Sequence, residues 1–578
     1  MRLSSLSEPA FVLPFTRLLS HSVAPASRGL RPRPYPVSPA QLRQLFSRRW
    51  ASASSTAISA RIEPESLDID RFTEDFVEKT DAASATRLVI VDAGTVEAWK
   101  AKQSEVVQQL IATANFSGKE AGKFAVIPDL ATGKMDFVVC STGESSKKPV
   151  LWNFSAFPKA LPKGIYQVDN TTSFSAADLT LAWALGSYSF SVFKSKSKKT
   201  GATGAQLVHP TSPADPARDR AMSLASATYL VRDLVNFPAD DMGPEAIEIR
   251  SQAVAARFGA KINVIHGNAL LEATNGGFPQ VHAVGRAAAP WESRAPRVID
   301  LRWGDEDDPH IVLVGKGVCF DTGGLDIKPA AGMRNMKKDM AGSAQVLGLA
   351  TMIMRNKLRV NLRVMIAAVE NSIAGNAFRP GDVLTARNGL TVEIENTDAE
   401  GRLVISDLMA AAAEEHPDMM IDCATLTGAQ RVALGAEIAG IFCNRKETAN
   451  RLMDLGEQVS DPVWELPIFK PYEKLLRSSI ADMKNCSTGG LGGAITAALF
   501  LEKFIGQCDD WVHVDFMVFS CFWCRHLPRH IASSPCNIDY FFSSFQQGYN
   551  NSSQPGRPEG GEAHGMRALY TLLEERFR

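Results

Sequence analysis

The stretch Asn396-Thr397-Asp398-Ala399-Glu400-Gly401-Arg402-Leu403 sets two carboxylates and one guanidinium side by side. The alternating run before it, Leu390-Thr391-Val392-Glu393-Ile394-Glu395, reads as a strand, and the Ala- and Leu-rich run over 405–414 reads as a helix. The stretch is therefore a strand-to-helix turn, the place where α/β proteins put their chemistry. Carboxylates at i and i+2 on a turn grip one cation from two sides or bridge two cations. Arg402 stays charged and offers a planar fork for an anion. The plainer alternative is a solvated acidic loop with Arg402 as its ion-pair partner.

Upstream lies material that favours the first reading. The apolar run 310–314 reads as a short strand leading into Gly315-Lys316-Gly317-Val318-Cys319-Phe320-Asp321-Thr322-Gly323-Gly324. Then come Leu325-Asp326-Ile327-Lys328-Pro329 and Met336-Lys337-Lys338-Asp339-Met340-Ala341-Gly342. Glycines permit close backbone approach and positive φ. Lys316, Asp321, Lys328 and Asp339 are thus expected in a loop-rich segment, and all the site residues in loops or at element ends. The Gly-x4-Gly-Lys-[Ser/Thr] pattern is absent, which sets a phosphate-binding loop aside.

The segments 315–324 and 396–403 together resemble the leucyl aminopeptidase family, the two-metal cytosol aminopeptidases. The likeness runs from about Leu224 onward. It takes in Arg232-Asp233-Leu234-Val235-Asn236, Asp241-Met242-Gly243-Pro244 and Ala424-Thr425-Leu426-Thr427-Gly428. The resemblance implies that Lys316, Asp321, Asp339, Asp398 and Glu400 are metal ligands. Asp321 and Glu400 would bridge both ions, Lys316 and Asp339 complete one shell, and Asp398 serves the other. It further implies that Lys328 and Arg402 are catalytic, and that Met336, Thr425, Leu426 and Gly428 line the pocket for the substrate's first residue. A homohexamer acting on short peptides, with a bicarbonate held by Arg402 as proton shuttle, is also implied.

Peptide hydrolysis needs a nucleophile at neutral pH, a polarised carbonyl and an anchor for the free amine. Two divalent ions meet the first two needs. Lysine ligates a metal only as the neutral amine, so Lys316 requires a strongly lowered pKa, which burial beside two cations supplies. Lys328 is expected to stay charged and to stabilise the oxyanion. Oxygen ligands plus one amine suit Zn²⁺, Mn²⁺, Mg²⁺ or Co²⁺. Met336 and Leu426 suggest a preference for Leu or Met at the N-terminus.

Outside the motifs the chain reads as an α/β protein. A small N-terminal α/β domain is expected over 59–210, a linking helix over 211–237, and a larger catalytic domain over 238–578 with a mostly parallel mixed sheet. In the first domain, 87–91 and 124–128 read as strands and 95–114 as one helix. The run 215–236, with Met222, Leu224, Tyr229, Val231 and Leu234, is the linking helix, stopped by Phe237-Pro238. Strands over 261–265, 297–301, 362–369 and 419–423 alternate with helices such as 345–354, which implies a sheet covered on both faces.

Composition narrows the classes. The 578 residues carry a net charge of −1, which argues against nucleic-acid binding by bulk charge. The basic stretch Ser195-Lys196-Ser197-Lys198-Lys199-Thr200-Gly201 lacks aromatic support for such a role. No run of 18 apolar residues appears, so no membrane span is expected. The 9 cysteines are scattered, which suits reduced thiols, with Cys319 and Cys423 buried and inert. Residues 1–58 are rich in Arg and Ser, and Glu8 is their only acidic residue. That is the make-up of an organellar transit peptide, mitochondrial or plastid, with 41–50 as a basic amphipathic helix. The alternative is a tail without an address on a cytoplasmic protein.

The C-terminal part departs from the family's pattern. After 511–517 the chain runs Val518-Phe519-Ser520-Cys521-Phe522-Trp523-Cys524-Arg525-His526 and on to Tyr549, and the pattern resumes near Asn550 before a closing helix over 566–577. This anomalous insert, 518–549, has three readings. It is a zinc clip from Cys521 and Cys524 with His526, His530 or Cys536, a membrane- or partner-binding hairpin, or a translated intron, which its foreign composition favours. The functional expectation is a metal-dependent aminopeptidase. The alternative is a catalytically weak structural or DNA-binding homologue, and a metal-dependent phosphoesterase is a third idea.

Overall fold

Two sheets organise the chain. The computed structural model describes residues 68–79, 84–143, 151–169, 174–195, 204–516, 557 and 560–578. The transit-type segment, the basic stretch from 196 on and the insert lie outside these residues.

The smaller sheet has six strands in the order Phe76–Val77, Ala205–Val208, Gly164–Val168, Thr86–Val91, Met135–Ser141 and Phe124–Pro128. All neighbours run parallel except the last pair. The larger sheet has eight, in the order Val463–Glu465, Ala439–Cys443, Trp511–Asp515, Met419–Ala424, His310–Asp321, Asn361–Asn371, Arg297–Trp303 and Lys261–His266. Its four middle strands, from Trp511–Asp515 to Asn361–Asn371, are parallel, and antiparallel strands flank them. The fold is therefore α/β, with a small N-terminal domain and a larger C-terminal domain holding a mixed, mostly parallel sheet.

The strand period of two sorts the core. Ile311 and Leu313 pack with Ala344 and Leu347 of the helix Ala341–Arg355 on one face. Val312 and Val314 pack with Val404 and Leu408 of the helix Gly401–Ala413 on the other. Both faces are dry, which is why the strand reads as an unbroken apolar run. The helix Pro216–Asn236 starts at Asp215, whose side chain accepts from Ala217 N, and every residue from Ala221 to Asn236 is buried. Buried on every side, it is a core helix, and its two interior charges, Arg232 and Asp233, are paired with Glu562 and Arg71. Here it packs in one continuous cluster with Leu88 and Trp183 of the small domain and Val346 of the large one.

Three expectations change. The segment after 314 is not a loop: the strand His310–Asp321 continues through it, paired with Asn361–Asn371 as far as Asp321 and with Met419–Ala424 as far as Gly315. Its glycines serve close packing, since a Cβ on Gly317 would lie 2.6 Å from Ala367 O and one on Gly315 2.7 Å from Val346 Cγ2. The helix expected over 95–114 is two, Val96–Lys100 and Glu105–Thr113, because Ser104 adopts an extended conformation and caps the second through Val107 N. The strand before the central turn is short, Thr391–Glu393, and belongs to a separate three-stranded sheet with Val383–Thr385 and Met483–Lys484. The helix after it begins at Gly401, so Arg402 lies in its first turn.

Candidate active site

The parallel strands end on one side of the sheet, and their loops converge there. Lys316 lies inside the strand His310–Asp321 and Asp321 ends it. Asp339 sits in the tight turn Met336–Met340, which runs directly into the helix Ala341–Arg355. A Cβ on Gly342 would lie 2.1 Å from Cys423 O, so glycine lets that helix press against the sheet. Asp398 and Glu400 come from the turn before Gly401–Ala413, with Glu400 at its N-terminal boundary. Thr425 and Leu426 follow the strand Met419–Ala424.

Two lysines knit the carboxylates. Lys316 Nζ lies 2.7 Å from Asp339 Oδ2 and 3.0 Å from Glu400 Oε1, and donates to Thr425 O at 3.0 Å. Lys328 Nζ lies 2.7 Å from Asp321 Oδ2 and also pairs with Asp398. Gly401 makes room for the first lysine, since a Cβ there would meet Lys316 Cε at 2.6 Å. Asp321, Asp398 and Glu400 present ligand oxygens that all lie within 4.8 Å of one another. Among the described residues, Glu400 Oε2 is buried without a hydrogen-bond partner. Clustered hard oxygens with one left over fit a divalent cation.

The charges strain against one another. Burial, then the nearby Asp321 carboxylate, push Glu400 up to about 8. The same two causes push Asp398 up to about 6. Burial opposes charge on Lys316, but Asp339, Glu400 and Asp321 outweigh it and hold its pKa above the usual lysine range. The lowered Lys316 pKa expected from sequence presumed two adjacent cations; the carboxylates by themselves drive the shift the other way. Lys328 is raised too, burial being overcome by Asp321 and Asp398.

A cleft of about 380 Å³ opens over this cluster. All the expected residues line it: Lys316, Asp321, Asp339, Asp398, Glu400, Lys328, Arg402, Met336, Thr425, Leu426 and Gly428. Arg402 is buried, donates from Nη1 to Asn485 O at 2.8 Å, and keeps Nε without a partner among the described residues. Cys319 and Cys423 are buried, and burial raises both thiols.

Asn371 and Asp515 escaped the sequence reading, as did the contact between Thr425 and Asp339. Asn371 Nδ2 donates to Asp321 Oδ1 at 2.9 Å and to Thr397 O at 3.1 Å. Thr425 Oγ1 donates to Asp339 Oδ1 at 2.8 Å. Asp515 accepts from Leu426 N at 3.0 Å, Thr427 N at 3.2 Å and Thr427 Oγ1 at 2.5 Å, which fixes the loop bearing the pocket residues. Asn371 and Asp515 both end apolar parallel strands, as Asp321 does. A polar residue closing a buried strand was the available signal. Lys338 also lines the cleft, and in the sequence nothing sets it apart from its neighbour Lys337.

The profile of the cytosol aminopeptidase family's catalytic domain matches residues 229–528, and that of the M17 aminopeptidase N-terminal domain matches 87–210. A probable cytosol aminopeptidase from Agrobacterium fabrum is 34% identical over 469 residues, spanning 77% of this chain and 92% of its own length. The chain belongs to the cytosol aminopeptidase family. A cytosol aminopeptidase from Coxiella burnetii aligns at a TM-score of 0.75 and 38% identity, over 87% of this chain and 100% of that one. The bottromycin maturation enzyme BotP in complex with Mn aligns at 0.70 and 26%, over 85% and 99%. As a cytosol aminopeptidase the chain is a metal-dependent hydrolase acting on peptides. Among its described residues no helix is long and apolar enough to cross a membrane.

Proposed function

We propose that this aminopeptidase releases Leu-like N-terminal residues from short peptides with two divalent cations held by Lys316, Asp321, Asp339, Asp398 and Glu400. The approach of Asp321, Asp398 and Glu400 to within 4.8 Å carries this reading. Bound there, such ions supply Lewis acidity and lower the pKa of water. Asp321 and Glu400 would be shared between the two ions. Mn²⁺ is the ion found with BotP, and Zn²⁺, Mg²⁺ and Co²⁺ suit the same donors.

The other roles follow from placement. Lys328 sits at the cleft with two carboxylates holding its charge, ready to donate to an oxyanion. Arg402 offers Nε and would hold an anion such as bicarbonate, which would supply a proton shuttle there. Met336, Thr425, Leu426 and Gly428 receive the first side chain. Anchoring of the free α-amine in the cluster explains removal of terminal residues only. The chain works as a homohexamer, which light scattering tests. Residues 1–58 carry it into a mitochondrion or plastid, which a fluorescent fusion of that segment tests against a cytoplasmic location.

The deciding assay is hydrolysis of a leucyl amide with and without Mn²⁺ or Zn²⁺, beside an Asp398→Ala, Glu400→Ala chain. Metal-dependent turnover missing from the double variant supports the proposal. Equal turnover in both chains sinks it.

A further inference from the structure

Lys338 precedes Asp339 in the turn Met336–Met340 and lines the cleft beside Met336, Thr425 and Leu426. Its side chain is 7% exposed. The other lysines of this turn and cleft each have an acceptor within hydrogen-bond distance. Lys337 donates to Asn236 O at 2.6 Å, Lys316 has three oxygen partners, and Lys328 is clamped by two carboxylates. Among the described residues, Lys338 Nζ has one carboxylate oxygen nearby, Asp339 Oδ1 at 3.9 Å, and makes no hydrogen bond. That separation is too long for a hydrogen bond. Nor is Asp339 Oδ1 idle, since it accepts from Thr425 Oγ1.

A buried ammonium without an acceptor is costly. This one borders a cleft, so a ligand can supply the acceptor. The cleft wall is mixed: Met336 and Leu426 offer apolar surface, Lys338 a cation. An aliphatic stem ending in a carboxylate fits both.

We propose that Lys338 makes the first-residue pocket accept N-terminal Glu and Asp as well as Leu-like residues, its ammonium pairing with the substrate's side-chain carboxylate. This rests on the reading of the cleft as an aminopeptidase site whose first-residue pocket includes Met336 and Leu426. The competing role is internal, with Lys338 only balancing the charge of Asp339.

Steady-state hydrolysis of glutamyl, aspartyl, glutaminyl and leucyl amides by the metal-loaded full chain separates the two roles. Lys338→Met keeps most of the length of the side chain and removes the charge. It should lower kcat/KM for the glutamyl amide about tenfold or more, the worth of one charge-assisted hydrogen bond, with a much smaller effect on the leucyl amide. Lys338→Arg should restore the glutamyl activity. Turnover of the leucyl amide alone by the unmutated chain overturns the proposal and leaves the aminopeptidase reading standing. An equal loss on both amides in Lys338→Met also overturns it, in favour of the internal role. Where neither amide turns over, the aminopeptidase reading itself fails. Calorimetric titration with free L-glutamate and L-leucine then tests the pocket directly. Glutamate binding lost in Lys338→Met upholds the acidic pocket, and no difference between the chains rejects it.

Discussion

Among the described residues, two of the buried clusters of charge are built to opposite ends. Where the small and large domains meet, Arg232 Nη2 pairs with Glu562 Oε2 at 2.7 Å and its Nη1 donates to Leu185 O at 3.1 Å. Glu562 Oε1 accepts from Ala563 N at 2.9 Å. Burial works against Glu562, but Arg232 overcomes it and holds the carboxyl below its usual range. In the cleft the carboxylates outweigh what surrounds them. Glu400 rises to about 8 and keeps one oxygen unpartnered among the described residues. The comparison teaches that a buried network closed on itself holds structure, whereas one left open is prepared for a ligand.

The strongest way to break the comparison is to open the closed network. Glu562→Leu strands Arg232 and should cost about 3–5 kcal/mol in denaturant unfolding, while turnover per folded molecule stays near that of the parent. A loss of turnover without a loss of stability would overturn the division of roles. The mirror experiment is Lys328→Met in the cleft. It should lower kcat about a hundredfold to a thousandfold, as expected for loss of an oxyanion donor, and steady-state kinetics beside a melting curve will show whether function falls first.

Asp515→Asn tests a residue between these extremes. It weakens the acceptor that fixes Leu426 and Thr427, and should raise KM for the leucyl amide by a factor on the order of ten with a smaller effect on kcat. An unchanged KM would mean that the loop holds its shape without Asp515.

The pH dependence of stability should run in opposite directions for the two clusters. The folded pKa of Glu562 lies below its ordinary 4.5, so its contribution is complete above that value and fades as pH falls through the lowered pKa. The folded pKa of Glu400 is raised from 4.5 to about 8, so its contribution is complete below 4.5 and is lost as pH rises through about 8. Melting of the chelator-treated chain across that window should show a decline toward alkaline pH that a divalent cation removes. A decline of equal size with and without the cation would argue that Glu400 is not a ligand.

Much of this was legible in the sequence, for identifiable reasons. Apolar runs of strand length marked the central strands, and Asp215 and Phe237-Pro238 bounded the helix Pro216–Asn236 as they stand in the structure. The candidate site was legible because its carboxylates and lysines are crowded into two short stretches. What stayed hidden depends on contact between distant segments. The glycines of 315–317 look like loop signals until Ala367 and Val346 are seen pressed against them. Asn371 and Asp515 are single polar residues whose targets lie 50 and 89 positions away in the chain. Nor does a net charge of −1 reveal that opposed charges are crowded into one cleft.

The helix Pro216–Asn236 has a consequence for how the molecule comes apart. Its buried surface is divided between the small domain and the large one. Neither partner can be cut away without leaving a greasy flank in water. The two should therefore melt in a single calorimetric transition, and a gene fragment starting after this helix should yield insoluble protein.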